Sequence, residues 1–147
     1  MAQVSKYPVD KDVYNEIFDT FLQTIANLKS KNEVLAFFHE FLTHTERIMF
    51  SKRLAAGLLI AEGYNYRDIS SILKTSTSTI ATFSMFYKYG SGYKKVIDQI
   101  KKDKEIREFL LNMGEKLASL GTFGGKGSGQ WREVTKLIKD KKSKLLR

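Results

Sequence analysis

Apolar side chains at Val13, Tyr14, Ile17, Phe18, Phe21, Leu22 and Ile25 recur at intervals of three and four, which gathers them on one stripe of a helix. Ser30-Lys31-Asn32-Glu33 then has the form of a capping box, so a second helix is expected to start there and carry Val34, Leu35, Phe37, Phe38, Phe41 and Leu42. From Val13 to Leu42, 16 of 30 residues are hydrophobic, more than two surface helices of a small monomer usually bury. The excess predicts a helical arm that packs against a second copy of the chain. Thr43-His44-Thr45-Glu46 is another capping box, opening a third helix that runs through Leu54 and Ile60 to Glu62, with Gly63 as its stop. Leu54 to Ala61 is apolar around most of the circumference, as expected of a central helix surrounded by others.

Further along, the pattern predicts short helices at Tyr66–Leu73 and from Thr77 to about Tyr87, a break at Gly90-Ser91-Gly92, and helices near Tyr93–Lys101 and Asp103–Leu120. No period-two strand signal competes. Gly121 to Gly129 holds five of the ten glycines and reads as a flexible linker; it lacks the spacing of a phosphate-binding loop and follows no strand. The expected organisation is a helical domain at 1–120 followed by a tail at 121–147.

Charge sharpens this division. The 147 residues carry 25 Lys+Arg against 16 Asp+Glu, a net charge of +9, which favours a polyanionic partner. Residues 1–98 contribute 12 basic and 10 acidic groups, residues 99–147 contribute 13 and 6, so most of the excess belongs to the C-terminal third. With no cysteine, disulfides, thiolate metal sites and cysteine nucleophiles are excluded. His39 and His44 form no metal-ligand pattern, so neither a metal nor a catalytic residue is expected and the chain does not read as an enzyme. Its longest apolar run is too short to span a bilayer and Met1–Asp10 has no signal core, so a cytoplasmic protein without membrane attachment is expected.

The stretch that carries chemistry is Tyr66 to Phe83, which has the layout of a DNA-binding helix-turn-helix. Ser70 supplies the small residue where two steeply crossing helices touch, and Ile69, Leu73, Ile80 and Phe83 supply the inner anchors. Ser76 is placed to N-cap the second helix, whose free N–H groups and positive dipole end suit a phosphate. Thr77, Ser78, Thr79, Ala81 and Thr82 follow as small residues that let the backbone approach the major-groove floor. Without an Arg–guanine contact on this helix, direct base specificity is expected to be modest and partly a matter of DNA shape. Tyr66, Arg67, Lys74 and Lys88 are the candidate phosphate contacts. Lys74 occupies the turn position where a left-handed backbone costs a non-glycine residue about 1 kcal/mol or more. The aromatic run Phe83, Phe86, Tyr87, Tyr89 reads as packing, with Tyr87 or Tyr89 within reach of the DNA backbone.

Leu42-Thr43-His44-Thr45-Glu46-Arg47 is similar to the Leu-Thr-Pro-Asp-Glu-Arg segment of the Trp repressor, at the same distance before Arg53 and the helix-turn-helix. Ser76-Thr77-Ser78-Thr79-Ile80 and Tyr89-Gly90-Ser91-Gly92-Tyr93-Lys94 look still more like the YerC/YecD-type branch of that superfamily. The resemblance covers about Lys11 to Ile100 and implies an all-α, intertwined homodimer whose N-terminal helices interlock. It also implies an effector pocket: the Trp repressor holds tryptophan with a Thr opening the central helix, an Arg within it and an Arg on the recognition helix. Thr43 and Arg53 match the first two positions. The third is Thr82, which has no charge and cannot stack on an indole, so tryptophan is not expected as a co-repressor.

Together these features predict a sequence-specific DNA-binding transcriptional regulator, a repressor by resemblance, that binds double-stranded DNA as a homodimer without a cofactor. The basic tail beyond the linker reads as a non-specific DNA clamp, which the rest of the chain favours, or as an inert solvated segment, with an amphipathic helix on an acidic membrane as a distant third reading. A helical protein-interaction module, or a small-ligand sensor built around Arg53, stays open as an alternative.

Overall fold

The computed structural model describes residues 6–119, together with Lys136, Lys139, Asp140 and Ser143. The fold is all-α, and the described residues form seven helices: α1 (Lys11–Asn27), α2 (Lys31–Phe41), α3 (His44–Ala61), α4 (Tyr66–Leu73), α5 (Thr77–Tyr89), α6 (Ser91–Ile100) and α7 (Lys104–Ser119). The chain divides into two compact units, Met1–Ser51 and Lys52–Arg147, and the division falls inside α3. The tail and linker, including the expected DNA clamp, lie outside the described residues apart from the four named.

In the first unit each helix start is built from side-chain oxygens. Asp10 caps α1 by accepting from the Asp12 N–H at 3.0 Å. Ser30 Oγ accepts from the Glu33 N–H at 3.2 Å, while the Glu33 carboxylate reaches back to the Lys29 N–H at 3.1 Å, one residue before the expected partner. At Thr43 the box is fully reciprocal: the Glu46 N–H donates to Thr43 Oγ1 at 3.2 Å, and the Thr43 N–H and hydroxyl donate to the Glu46 carboxylate at 2.8 and 2.7 Å. Those bonds favour the ionised form and hold Glu46 below the usual glutamate pKa. Arg47 donates to the His39 and Leu42 carbonyls at 2.7 and 3.0 Å, covering oxygens that the end of α2 leaves without helical partners. Phe21 and Phe37 stack on Phe41 with ring centroids 5.6 and 4.9 Å away. Even so, no residue of α1 or α2 is buried, and Val13, Tyr14, Ile17, Phe18 and Leu22 stand exposed.

The second unit holds the core. Ala56, Leu58 and Leu59 of α3 pack with Ile69, Ile80, Phe83, Ile97 and Leu110, one or more from each of α4 to α7. α3 is enclosed only at Ala56–Leu59; Leu54 and Phe50 are exposed, so the expectation of a helix surrounded along its apolar length holds for its C-terminal part alone. Gly63, at φ 89°, closes α3 as expected: its N–H donates to the Ile60 carbonyl at 3.0 Å and that of Tyr64 to Leu59 at 3.1 Å. Lys101 adds an ammonium at the same end, 3.0 Å from the Ala61 carbonyl and 3.0 Å from the Glu62 carboxylate. Gly57 lets α6 approach, because a β-carbon there would collide with the Tyr93 ring, whose hydroxyl donates to the Arg53 carbonyl at 2.9 Å. The expected Gly90-Ser91-Gly92 break is a single residue. The Gly90 N–H closes α5 on the Phe86 carbonyl at 2.9 Å, and Ser91 already belongs to α6.

Candidate nucleic-acid interface

α4 and α5 pack on each other as the sequence predicts, with Ile69 and Ile80 fully buried, Phe83 nearly so and Leu73 half-buried. Asn65 opens α4 by accepting from the Asp68 N–H at 3.0 Å, and its amide donates to the Asp68 carboxylate at 2.6 Å. Burial raises the Asp68 pKa, against the lowering effect of that bond. Lys74 ends α4 in the left-handed region, φ 51° and ψ 52°, the one non-glycine residue with positive φ among those described. Its N–H donates to the Ser70 carbonyl, and its own carbonyl accepts from Lys52 Nζ at 3.3 Å. Across the helix pair, the Tyr66 hydroxyl donates to Ser84 Oγ at 2.7 Å, tying the first turn of α4 to the middle of α5.

Ser76 caps α5 as expected, its Oγ accepting from the Thr79 N–H at 3.2 Å. The same oxygen lies 3.0 Å from Ser78 Oγ and 2.8 Å from Thr79 Oγ1, so the first turn is laced by its own hydroxyls. Thr82 donates its hydroxyl proton to the Ser78 carbonyl at 3.2 Å. Ser76, Thr77, Ser78 and Thr82 are exposed, whereas Thr79 and Ala81 are half-buried beside them. Arg67, Lys74 and Lys88 are exposed cations of the same two-helix element and its turn, while Tyr66 is half-buried with its hydroxyl engaged.

One part of this surface is not evident in the spacing. Of the aromatic run read as packing, Phe83 is buried and Tyr87 half-buried, but Phe86 and Tyr89 are exposed, as is Met85 at 55%. Ser78, Thr82, Met85 and Tyr89 follow at four, three and four residues, a single stripe of α5, and that interval is the signal that identifies Met85. Tyr87 turns instead to α6. Its hydroxyl donates to Asp98 at 2.7 Å, Asp98 pairs with Lys94 at 2.8 Å, and the Lys94 ammonium sits 4.8 Å from the Tyr87 ring centroid. The bond to Asp98 raises the pKa of both Tyr87 and Lys94, and the Lys94 and Tyr87 donors lower that of Asp98.

The residues matched to an effector pocket each have local partners. Thr43, in the first unit, spends its hydroxyl and N–H on Glu46. Arg53, in the second, lies over the Phe83 ring with its guanidinium carbon 5.3 Å from the centroid. Among the described residues no group of His, Asp and Glu is arranged to hold a metal ion, and no helix is long and apolar enough to cross a membrane.

A two-helix element of this kind, with a capped second helix whose outer face is small and polar, has the arrangement of a helix-turn-helix. A family model described as Trp repressor protein matches residues 16–101, from within α1 to the end of α6, and the chain belongs to that family. It is a family of DNA-binding regulators and not of enzymes. Neither the curated proteins nor the solved structures contain a match to the chain.

Proposed function

We propose that this chain is a sequence-specific transcriptional repressor that works in the cytoplasm as a homodimer. One α5 enters each of two successive major grooves, about 34 Å apart along the duplex, so the operator is roughly palindromic. The observation that carries the reading is the outer face of α5. Thr77, Ser78 and Thr82 are exposed on a helix whose N-terminus is capped by Ser76, and the same two-helix element and its turn carry the exposed cations Arg67, Lys74 and Lys88. Ser76 and Thr79 hold the first turn in shape, Ala81 keeps the groove side of the helix slim, and the cations set the docking register on phosphates. Tyr66 contributes chiefly through its bond to Ser84, which fixes how α4 carries α5.

Dimerisation is supported by the exposed apolar stripe of α1 and by Leu35 and Phe41 on α2, surfaces that a second copy would cover. Tryptophan does not fit as co-repressor: Thr82 offers no charge, and the Arg53 guanidinium already faces the chain's own Phe83 ring. The basic tail at 121–147 would add sequence-independent affinity.

Anisotropy titrations of the full chain with random duplexes at two salt concentrations, followed by selection from a random library, test this. Expected are binding that weakens steeply with salt, a selected site with two-fold symmetry, and a dimer in equilibrium sedimentation. A folded chain that binds no duplex would refute the proposal. L-Tryptophan is expected to leave the affinity unchanged.

A further inference from the structure

Resting on the reading of α5 as a recognition helix, we infer that it selects its operator through thymine methyl groups, with Thr82 as the principal reader and Ala81 and Met85 beside it. The hydroxyls of Ser78, Thr79 and Thr82 are turned onto the helix itself. Ser78 Oγ and Thr79 Oγ1 lie 3.0 and 2.8 Å from Ser76 Oγ, and Thr82 donates its one proton to the Ser78 carbonyl at 3.2 Å. A threonine bonded back to the helix through Oγ1 keeps its γ-methyl for whatever approaches from outside, and Thr82 is exposed. One turn on, Met85 presents an exposed thioether chain on the same stripe, and the Ala81 methyl lies next to Thr82. Neither Arg, Lys, Asn, Gln, Asp nor Glu occurs from Thr77 to Tyr87, so no side chain over that length makes a bidentate contact to guanine or adenine. Thymine is the base that offers an apolar group in the major groove, and small methyl-bearing side chains are its complement.

Replacing thymidine by deoxyuridine removes that methyl and leaves the Watson–Crick pair intact. On a duplex chosen by selection with the full chain, each thymine in contact is expected to weaken binding about fourfold when so replaced, the transfer contribution of one methyl. Thr82→Ser deletes the γ-methyl and keeps the hydroxyl, whereas Thr82→Val does the reverse. Thr82→Ser is expected to lose about fourfold on the thymine duplex and nothing on the matched deoxyuridine duplex, with Thr82→Val close to the parent on both. If deoxyuridine is neutral at every position of a duplex that is otherwise bound, the inference falls and the proposed function stands. Loss with Thr82→Val and not with Thr82→Ser would assign the contact to the hydroxyl, and also overturns it. Failure to bind any duplex defeats the proposed function, and this inference with it.

Discussion

Lys74 sits at φ 51°, and every bond the structure records for it is made by its backbone: its N–H to Ser70 and its carbonyl from Lys52. Substitution there therefore separates conformation from charge. A left-handed backbone costs an L side chain about 1–2 kcal/mol. Glycine escapes that cost but carries more unfolded-state entropy, worth about 0.5–1 kcal/mol against alanine. Lys74→Gly should therefore be more stable than Lys74→Ala by about 1 kcal/mol, or about 4 °C in Tm for a domain of this size. Both variants lose the same ammonium. If Lys74 touches a phosphate, each should lower the slope of log K against log salt by about 0.9, and by equal amounts. Thermal melts followed by circular dichroism, with salt-dependent anisotropy on one duplex, read both effects. Melting of Lys74→Gly at or below Lys74→Ala would refute the strain argument. Unequal salt slopes would show that the turn geometry, and not the charge, governs binding.

Other outcomes follow from contacts already described. Ser76→Ala removes the α5 cap and the oxygen shared by Ser78 and Thr79, and should cost about 1 kcal/mol in chemical denaturation. Gly57→Ala drives a β-carbon into the Tyr93 ring and to 3.2 Å from Ile97, and should lose about 1–3 kcal/mol through overpacking of α3 against α6. Acid titration of stability should show opposing contributions. Glu46 and Asp98 have lowered folded-state values, so their contribution is complete above the unfolded carboxylate pKa and is lost as pH falls through the folded one; Glu46→Gln should flatten that limb. Asp68 is raised, so its ionisation weakens the fold as pH climbs through its folded value. Asp68→Asn should therefore gain on the parent between mildly acidic and neutral pH.

Local features were the ones most readable from the sequence. The boxes at Ser30 and Thr43, the stop at Gly63 and the limits of α4 are all set by residues within a turn of one another, which is the range over which spacing carries information. The break after α5 was shorter than three small residues suggest, because Gly90 alone both ends one helix and precedes the next. What spacing does not encode is where a side chain turns among partners remote in sequence. Tyr66 had the profile of a phosphate contact, yet its hydroxyl meets Ser84, 18 residues on. Arg53 matched a ligand-binding position and lies on the ring of Phe83. Met85 shares its stripe with Ser78 and Thr82, but a methionine at that interval suits a core as well as a surface, and it is the inward packing of Phe83 and Ser84 that leaves it outside.

The bare stripe of α1 and α2 has a thermodynamic consequence. Fixing each residue of these helices costs about 1–2 kcal/mol of backbone entropy, and with no buried side chain of their own they return little of it within one chain. If a second copy supplies the missing contacts, the persistence of the N-terminal helices is governed by mass action: it depends on how many copies share a given volume. Dilution alone would then melt this part of the molecule while the core built on Leu58, Ile69, Ile80 and Ile97 stays folded.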